Sequence, residues 1–69
     1  MVLTKVQTGG NYLIHAVTGE GDVRHHLEGL GFVPGTKINV VSRIGGNLIV
    51  NVRGSRVALD KKLAACVLV

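Results

Sequence analysis

The stretch KINVVSRIGGNLIVNV, residues 37–52, sets two runs of aliphatic, largely β-branched residues on either side of a glycine pair. That is the pattern of a β-hairpin. Successive strand residues face opposite sides, so Ile38, Val40, Ser42 and Ile44 share one face and Leu48, Val50 and Val52 share the matching one. A two-residue loop would set Val40 opposite Asn51 and Val41 opposite Val50, mixing the faces. A three-residue loop, Gly45-Gly46-Asn47, pairs Ile44 with Leu48, Ser42 with Val50 and Val40 with Val52. Because a slip of one residue inverts every side chain, parity favours the three-residue loop. The outward pairs are then Arg43 with Ile49, Val41 with Asn51 and Asn39 with Arg53.

Working outward, Arg56–Leu59 reads as a third strand. Asp60 then caps a single helical turn over residues 60–65, and residues 66–69 return as a last strand. Upstream, Val33-Pro34-Gly35-Thr36 carries the signature of a type II turn, with Pro fixing φ at the first central position and Gly taking positive φ at the second. Residues 22–31, DVRHHLEGLG, read as a short helix. Asp22 is its N-cap, Val23, Leu27 and Leu30 form its apolar stripe, and Gly31 takes the left-handed position that ends it. Residues 11–17, NYLIHAV, read as the first strand. About five short strands with one small helix suit a nearly closed barrel, since closure removes exposed sheet edges.

Composition narrows the function classes. The 69 residues have room for one domain, 1–69, and none for a separate substrate domain or a nucleotide-binding pair of βαβ units. No apolar run approaches the roughly 20 residues of a membrane-spanning helix, and the first residues lack the charged region and apolar block of a signal peptide. The expectation is a cytoplasmic chain. Cys66 is the only cysteine, which excludes an internal disulfide. The formal charge of +4 is unevenly placed: residues 1–36 carry two Lys/Arg against three Asp/Glu, and residues 37–69 carry six against one. A basic half of this kind can attract nucleic acid, acidic protein or anionic lipid, and can equally be solubilising charge.

The segment Leu30-Gly31-Phe32-Val33-Pro34-Gly35-Thr36, followed at the appropriate distance by the hairpin and by Arg53-Gly54-Ser55-Arg56-Val57-Ala58-Leu59, resembles the FeoA family of small accessory proteins of bacterial and archaeal ferrous iron uptake. The resemblance covers essentially the whole chain. It implies a mainly β fold, a small SH3-like barrel, in agreement with the strand count. It also implies a cytosolic, non-enzymatic protein serving the FeoB permease, whose cytosolic part carries a GTPase domain, and reaching the membrane only through that partner. Similar domains end some metal-dependent repressors. Those need helix-turn-helix and dimerisation domains for which 69 residues leave no room, so the expectation is the stand-alone accessory.

Candidate chemistry is sparse. His25 and His26 are adjacent on the helix and diverge by about 100°, so they do not easily grip one ion together. His25 with Glu28, three residues on, supplies two ligands of a transition metal, iron or zinc, and a symmetry-related copy could complete the site. The plainer reading is two surface histidines on an amphipathic helix. His15 reads as a packing or edge residue, and Cys66, in AACVLV, as a small hydrophobe without the electropositive setting of a reactive thiol. The glycine pairs match neither a phosphate loop nor a dinucleotide fingerprint, and no required cofactor and no catalytic residue is suggested. On the outer hairpin face, Val41, Arg43, Ile49 and Arg53 mix aliphatics with arginine as interface cores do, so this face is the candidate for partner docking or self-association. Charging it, as in Ile49→Asp, is expected to weaken such association. The competing classes are a transition-metal-binding module, with His25, His26 and Glu28 as its candidate ligands, and a small RNA-binding barrel. With two aromatics in the chain, neither in the basic half, base stacking would be poor and no nucleic-acid partner is expected.

Overall fold

In a computed structural model describing all 69 residues, a 3₁₀ turn at Leu3–Lys5 precedes strands β1 (Asn11–Leu13) and β2 (Ala16–Val17). Helix α1 (Gly21–Leu30) follows, then β3 (Lys37–Ile44), β4 (Asn47–Val52), β5 (Ser55–Leu59), the short helix α2 (Lys61–Ala64) and β6 (Val67–Leu68). The strands form a four-stranded antiparallel sheet in the order β1-β3-β4-β5 and a two-stranded sheet of β2 with β6. The mainly β expectation with one main helix holds.

The hairpin forms with its extra residue in the strand instead of the turn. Ile44 pairs with Asn47, so the loop is Gly45-Gly46 alone. Both glycines have positive φ, 55° and 87°, which is what a two-residue turn between twisted strands demands. Parity is restored by a bulge at Val41: Val40 pairs with Val50, and the next pair is Ser42 with Ile49. The expected partners Ile44–Leu48, Ser42–Val50 and Val40–Val52 are therefore replaced by Ile44–Asn47, Ser42–Ile49 and Val40–Val50. A bulge adds twist and bend, which a small barrel needs and a longer turn would not supply. Ile38, Val40, Leu48, Val50 and Val52 are buried as expected, but Ile44 lies beyond the bulge and is 64% exposed.

The first strand also departs from expectation. Residues 11–17 do not run through; they turn a corner at Ile14-His15 and pass from one sheet to the other. Hydrogen bonding continues round the corner, with Ile14 N donating to Thr36 O at 2.9 Å and His15 N to Leu68 O at 2.7 Å. The corner gives six strands where five were expected and brings the two sheets together as walls of one barrel.

The turn at Val33–Thr36 is as expected, with Gly35 at φ 90° and Thr36 N donating to Val33 O at 3.1 Å. Helix α1 ends at Gly31, φ 103°. Its start differs: Glu20 is the N-cap and makes no side-chain capping bond, while Asp22 sits in the first turn. There its charge still complements the positive end of the helix. Asp60 caps α2 as expected, Oδ1 accepting from Leu63 N at 2.8 Å.

Thirteen buried apolar side chains form one core. Phe32 and Leu27 carry the helix and its exit into it, and Leu3 and Val6 enter from the opening segment. That segment is tied down by a Val2–Leu68 bridge and by mutual hydrogen bonds between Met1 and Val69. No helix is long and apolar enough to cross a membrane.

Candidate functional site

The four side chains grouped on the outer hairpin face are separated by the bulge. Val41 and Ser42 together oppose Ile49, and Val41 and Ile49 remain half-buried on the outer side. Beyond the bulge Arg43 pairs with the core residue Leu48, not with Ile49, and leaves the outer face. Its guanidinium turns to the opening segment, where Nη1 donates to Thr4 O at 3.1 Å and Nη2 to Val6 O at 2.7 Å. Arg53 is not paired with Asn39. It is the first residue of the two-residue turn Arg53-Gly54 and has φ 51°, the one non-glycine residue in the left-handed region.

What fills the outer face instead is a polar ladder. The bulge brings Asn39 opposite Asn51, with Asn11 and Arg56 on the flanking strands. Arg56 Nε donates to Asn51 Oδ1 at 3.4 Å, and Asn51 Nδ2 donates to Asn39 Oδ1 at 3.5 Å. Asn39 Nδ2 completes the row on Asn11 Oδ1 at 3.1 Å and Gly10 O at 3.4 Å. Donors point one way across all four strands. Once the bulge is placed, the Asn39–Asn51 match follows from the sequence; with the three-residue loop it was hidden.

On α1 the structure brings His25 and Glu28 together, Nδ1 to Oε1 at 4.0 Å, on a helix face where His25 is 85% exposed. Glu28 is shared with Arg24, whose Nε lies 3.9 Å from Oε2. His26 does not join them, and no three His, Cys, Asp or Glu side chains converge anywhere in the molecule. One chain supplies at most two ligands, whereas a closed zinc site needs four, so a metal here would have to be shared with another copy or partner. His15 is exposed. Cys66 is half-buried against the core, its thiol donating to Lys62 O at 3.4 Å.

The most sharply formed concavity lies where the Arg43 side chain went. A cleft of about 330 Å³ opens between the Leu3–Lys5 turn, the tip of the β3–β4 hairpin and α2. Lys5, Arg43 and Lys61 line it, over Leu48 and Ala64. Sequence reasoning missed this site because it depends on the bulge and on a docked opening segment, neither of which shows in local periodicity.

Comparison with known proteins agrees with the architecture. The family model described as FeoA domain matches residues 1–69. No curated protein sequence matches significantly. Among solved structures, the chain is 30% identical to a crystal structure of an iron uptake regulatory protein (FeoA), with a TM-score of 0.86, covering 96% of this chain and 88% of that one. It is 27% identical to Stenotrophomonas maltophilia FeoA complexed with zinc, described as a prokaryotic SH3 domain protein and a candidate activating factor of bacterial ferrous iron transport. That comparison has a TM-score of 0.86 and covers 99% and 87% of the two chains. A manganese-dependent transcriptional repressor shares the fold alone, at 14% identity and TM-score 0.88, with this chain covering 39% of it. With the family model spanning every residue and the whole chain superposing on solved FeoA structures at a TM-score of 0.86, the chain belongs to the FeoA domain family.

Proposed function

We propose that the protein is a non-enzymatic accessory factor of ferrous iron uptake, a single domain over residues 1–69 that works by binding the cytosolic part of the FeoB GTPase-permease. The observation that carries this reading is the match of the family model to the entire chain, supported by the 30% identity to an iron uptake regulatory protein over nearly its full length. A binding role suits a small barrel that exposes a polar sheet face and a basic cleft. The reading places the chain at the inner face of the membrane, held there by its partner. Its test is a tagged chain used to capture partners from the native cell membrane, with ferrous iron uptake measured in a strain lacking the gene. Recovery of the permease and lowered uptake under iron limitation are expected; absence of both would overturn the reading.

A second reading, transition-metal binding between copies through His25 and Glu28, draws on their 4.0 Å approach and on the zinc complex of the S. maltophilia relative. Calorimetry with zinc and with ferrous iron, run on the protein and on His25→Ala, is its test; heats unchanged by the substitution would remove it.

A further inference from the structure

Charge on this molecule is sorted by place. Of its four carboxylates, Glu20, Asp22 and Glu28 lie on α1 or its N-cap, leaving Asp60 alone elsewhere. The Arg24–Glu28 ion pair and the His25–Glu28 contact are both on α1, and no Lys or Arg outside that helix has a carboxylate partner. Three of these unneutralised bases, Lys5, Arg43 and Lys61, meet at the cleft described above. A shallower recess continues it past the Gly45-Gly46 turn toward Lys62. Asp60 borders that recess, where its Oδ1 caps α2 and its charge remains, so only the lining of the cleft itself is uniformly basic.

Arg43 is the fixed member of the group. Two of its N–H groups are spent on the Thr4 and Val6 carbonyls, which hold the guanidinium in place without cancelling its charge. A guanidinium so oriented, with donors remaining, is preorganised for a carboxylate and loses little freedom on meeting one. Between the bases lie Leu48 and Ala64, both core residues, so the bottom of the cleft is apolar. A phosphate-rich single strand would want stacking partners as well as charge, and no aromatic side chain lines the cleft.

We propose that this cleft docks an acidic, extended peptide segment of a protein partner, with Lys5, Arg43 and Lys61 receiving its carboxylates and the Leu48–Ala64 base receiving an apolar side chain set between them. The site goes beyond the accessory-factor reading, since its chemistry is the same whichever protein carries the segment.

The test uses the isotopically labelled full chain, titrated with a short peptide of one central Leu flanked by Glu residues and with its Gln counterpart. Amide shifts are expected at Thr4, Lys5, Arg43, Gly46, Leu48 and Lys61, with salt-sensitive binding to the Glu peptide and none to the Gln peptide. The double reversal Lys5→Glu/Lys61→Glu is expected to weaken binding about tenfold or more. The reversal Arg24→Glu/Lys37→Glu changes net charge equally but lies outside the cleft, and is expected to cost less than about threefold. Equal losses in the two variants would reduce the effect to net charge and overturn the proposal. Shifts spread over all basic positions, equal binding of the Gln peptide, or tighter binding of an oligouridylate would also overturn it.

Discussion

Arg53 is the one side chain held against its backbone preference. At φ 51° it occupies a region where a Cβ is strained, in the first position of a turn that favours Asn followed by Gly. Its stem lies across Gly31, where an added Cβ would come within 3.1 Å of Arg53 Cδ. The arginine thus covers the glycine that ends α1, giving up conformational comfort for a contact that is mostly exposed. Asn removes the contact and relieves the strain. The strain outweighs the contact, because the left-handed region costs a long side chain about 1 kcal/mol that Asn largely avoids. Arg53→Asn is therefore expected to raise unfolding stability by about 0.5 kcal/mol, read as a higher urea midpoint at unchanged slope. A lower midpoint would mean that the Arg53 stem on Gly31 matters more than the turn strain.

At the scale of elements, the bulge at Val41 accounts for most of what the sequence hid. The alternation in residues 37–52 correctly identifies Ile38, Val40, Leu48, Val50 and Val52 as core, and the Pro34-Gly35 turn, Gly31 stop and Asp60 cap follow from local chemistry that needs no partner. Parity also shows that one extra residue is required, but local pattern cannot say whether loop or strand holds it. Twist and closure decide that, and they belong to the whole barrel. The corner at Ile14-His15 was hidden for the same reason, since an apolar run looks alike whether it stays in one sheet or changes sheets. The candidate site suffered most: moving the bulge sent Arg43 to the cleft and assembled the asparagine ladder. That ladder has its own test. Asn39 is its centre, accepting one bond and donating two, all between 3.1 and 3.5 Å. Bonds this long on a half-exposed face contribute modestly, so Asn39→Ala is expected to lower stability by about 1 kcal/mol in denaturant titration. A loss above about 3 kcal/mol would instead mark Asn39 as a buried-network residue.

At the scale of the whole molecule, the opening segment is where stability and the proposed docking site meet. A chain of this size retains only about 3–10 kcal/mol of net stability, so each core side chain holds a large share. Leu3 is fully buried and Val6 nearly so, though they lie outside every strand. Burial of Leu3 brings the Thr4 carbonyl to Arg43 and sets Lys5 at the cleft rim, which makes the 3₁₀ turn both a core plug and a wall of the site. Leu3→Ala removes the plug. A buried Leu→Ala change costs about 2–5 kcal/mol, and this one is expected to fall in the lower half of that range because a terminal segment can settle inward to fill part of the void. The measurement is urea unfolding followed by far-ultraviolet circular dichroism, paired with peptide titration under conditions where the variant is still folded. The paired readout separates two ideas. If the segment matters only for the core, stability falls and peptide affinity stays; if it also carries Lys5 and anchors Arg43, the folded variant loses affinity as well. A stability loss under about 1 kcal/mol would show that the barrel holds without its opening turn, and the cleft would then lack the rigid wall that preorganises its bases.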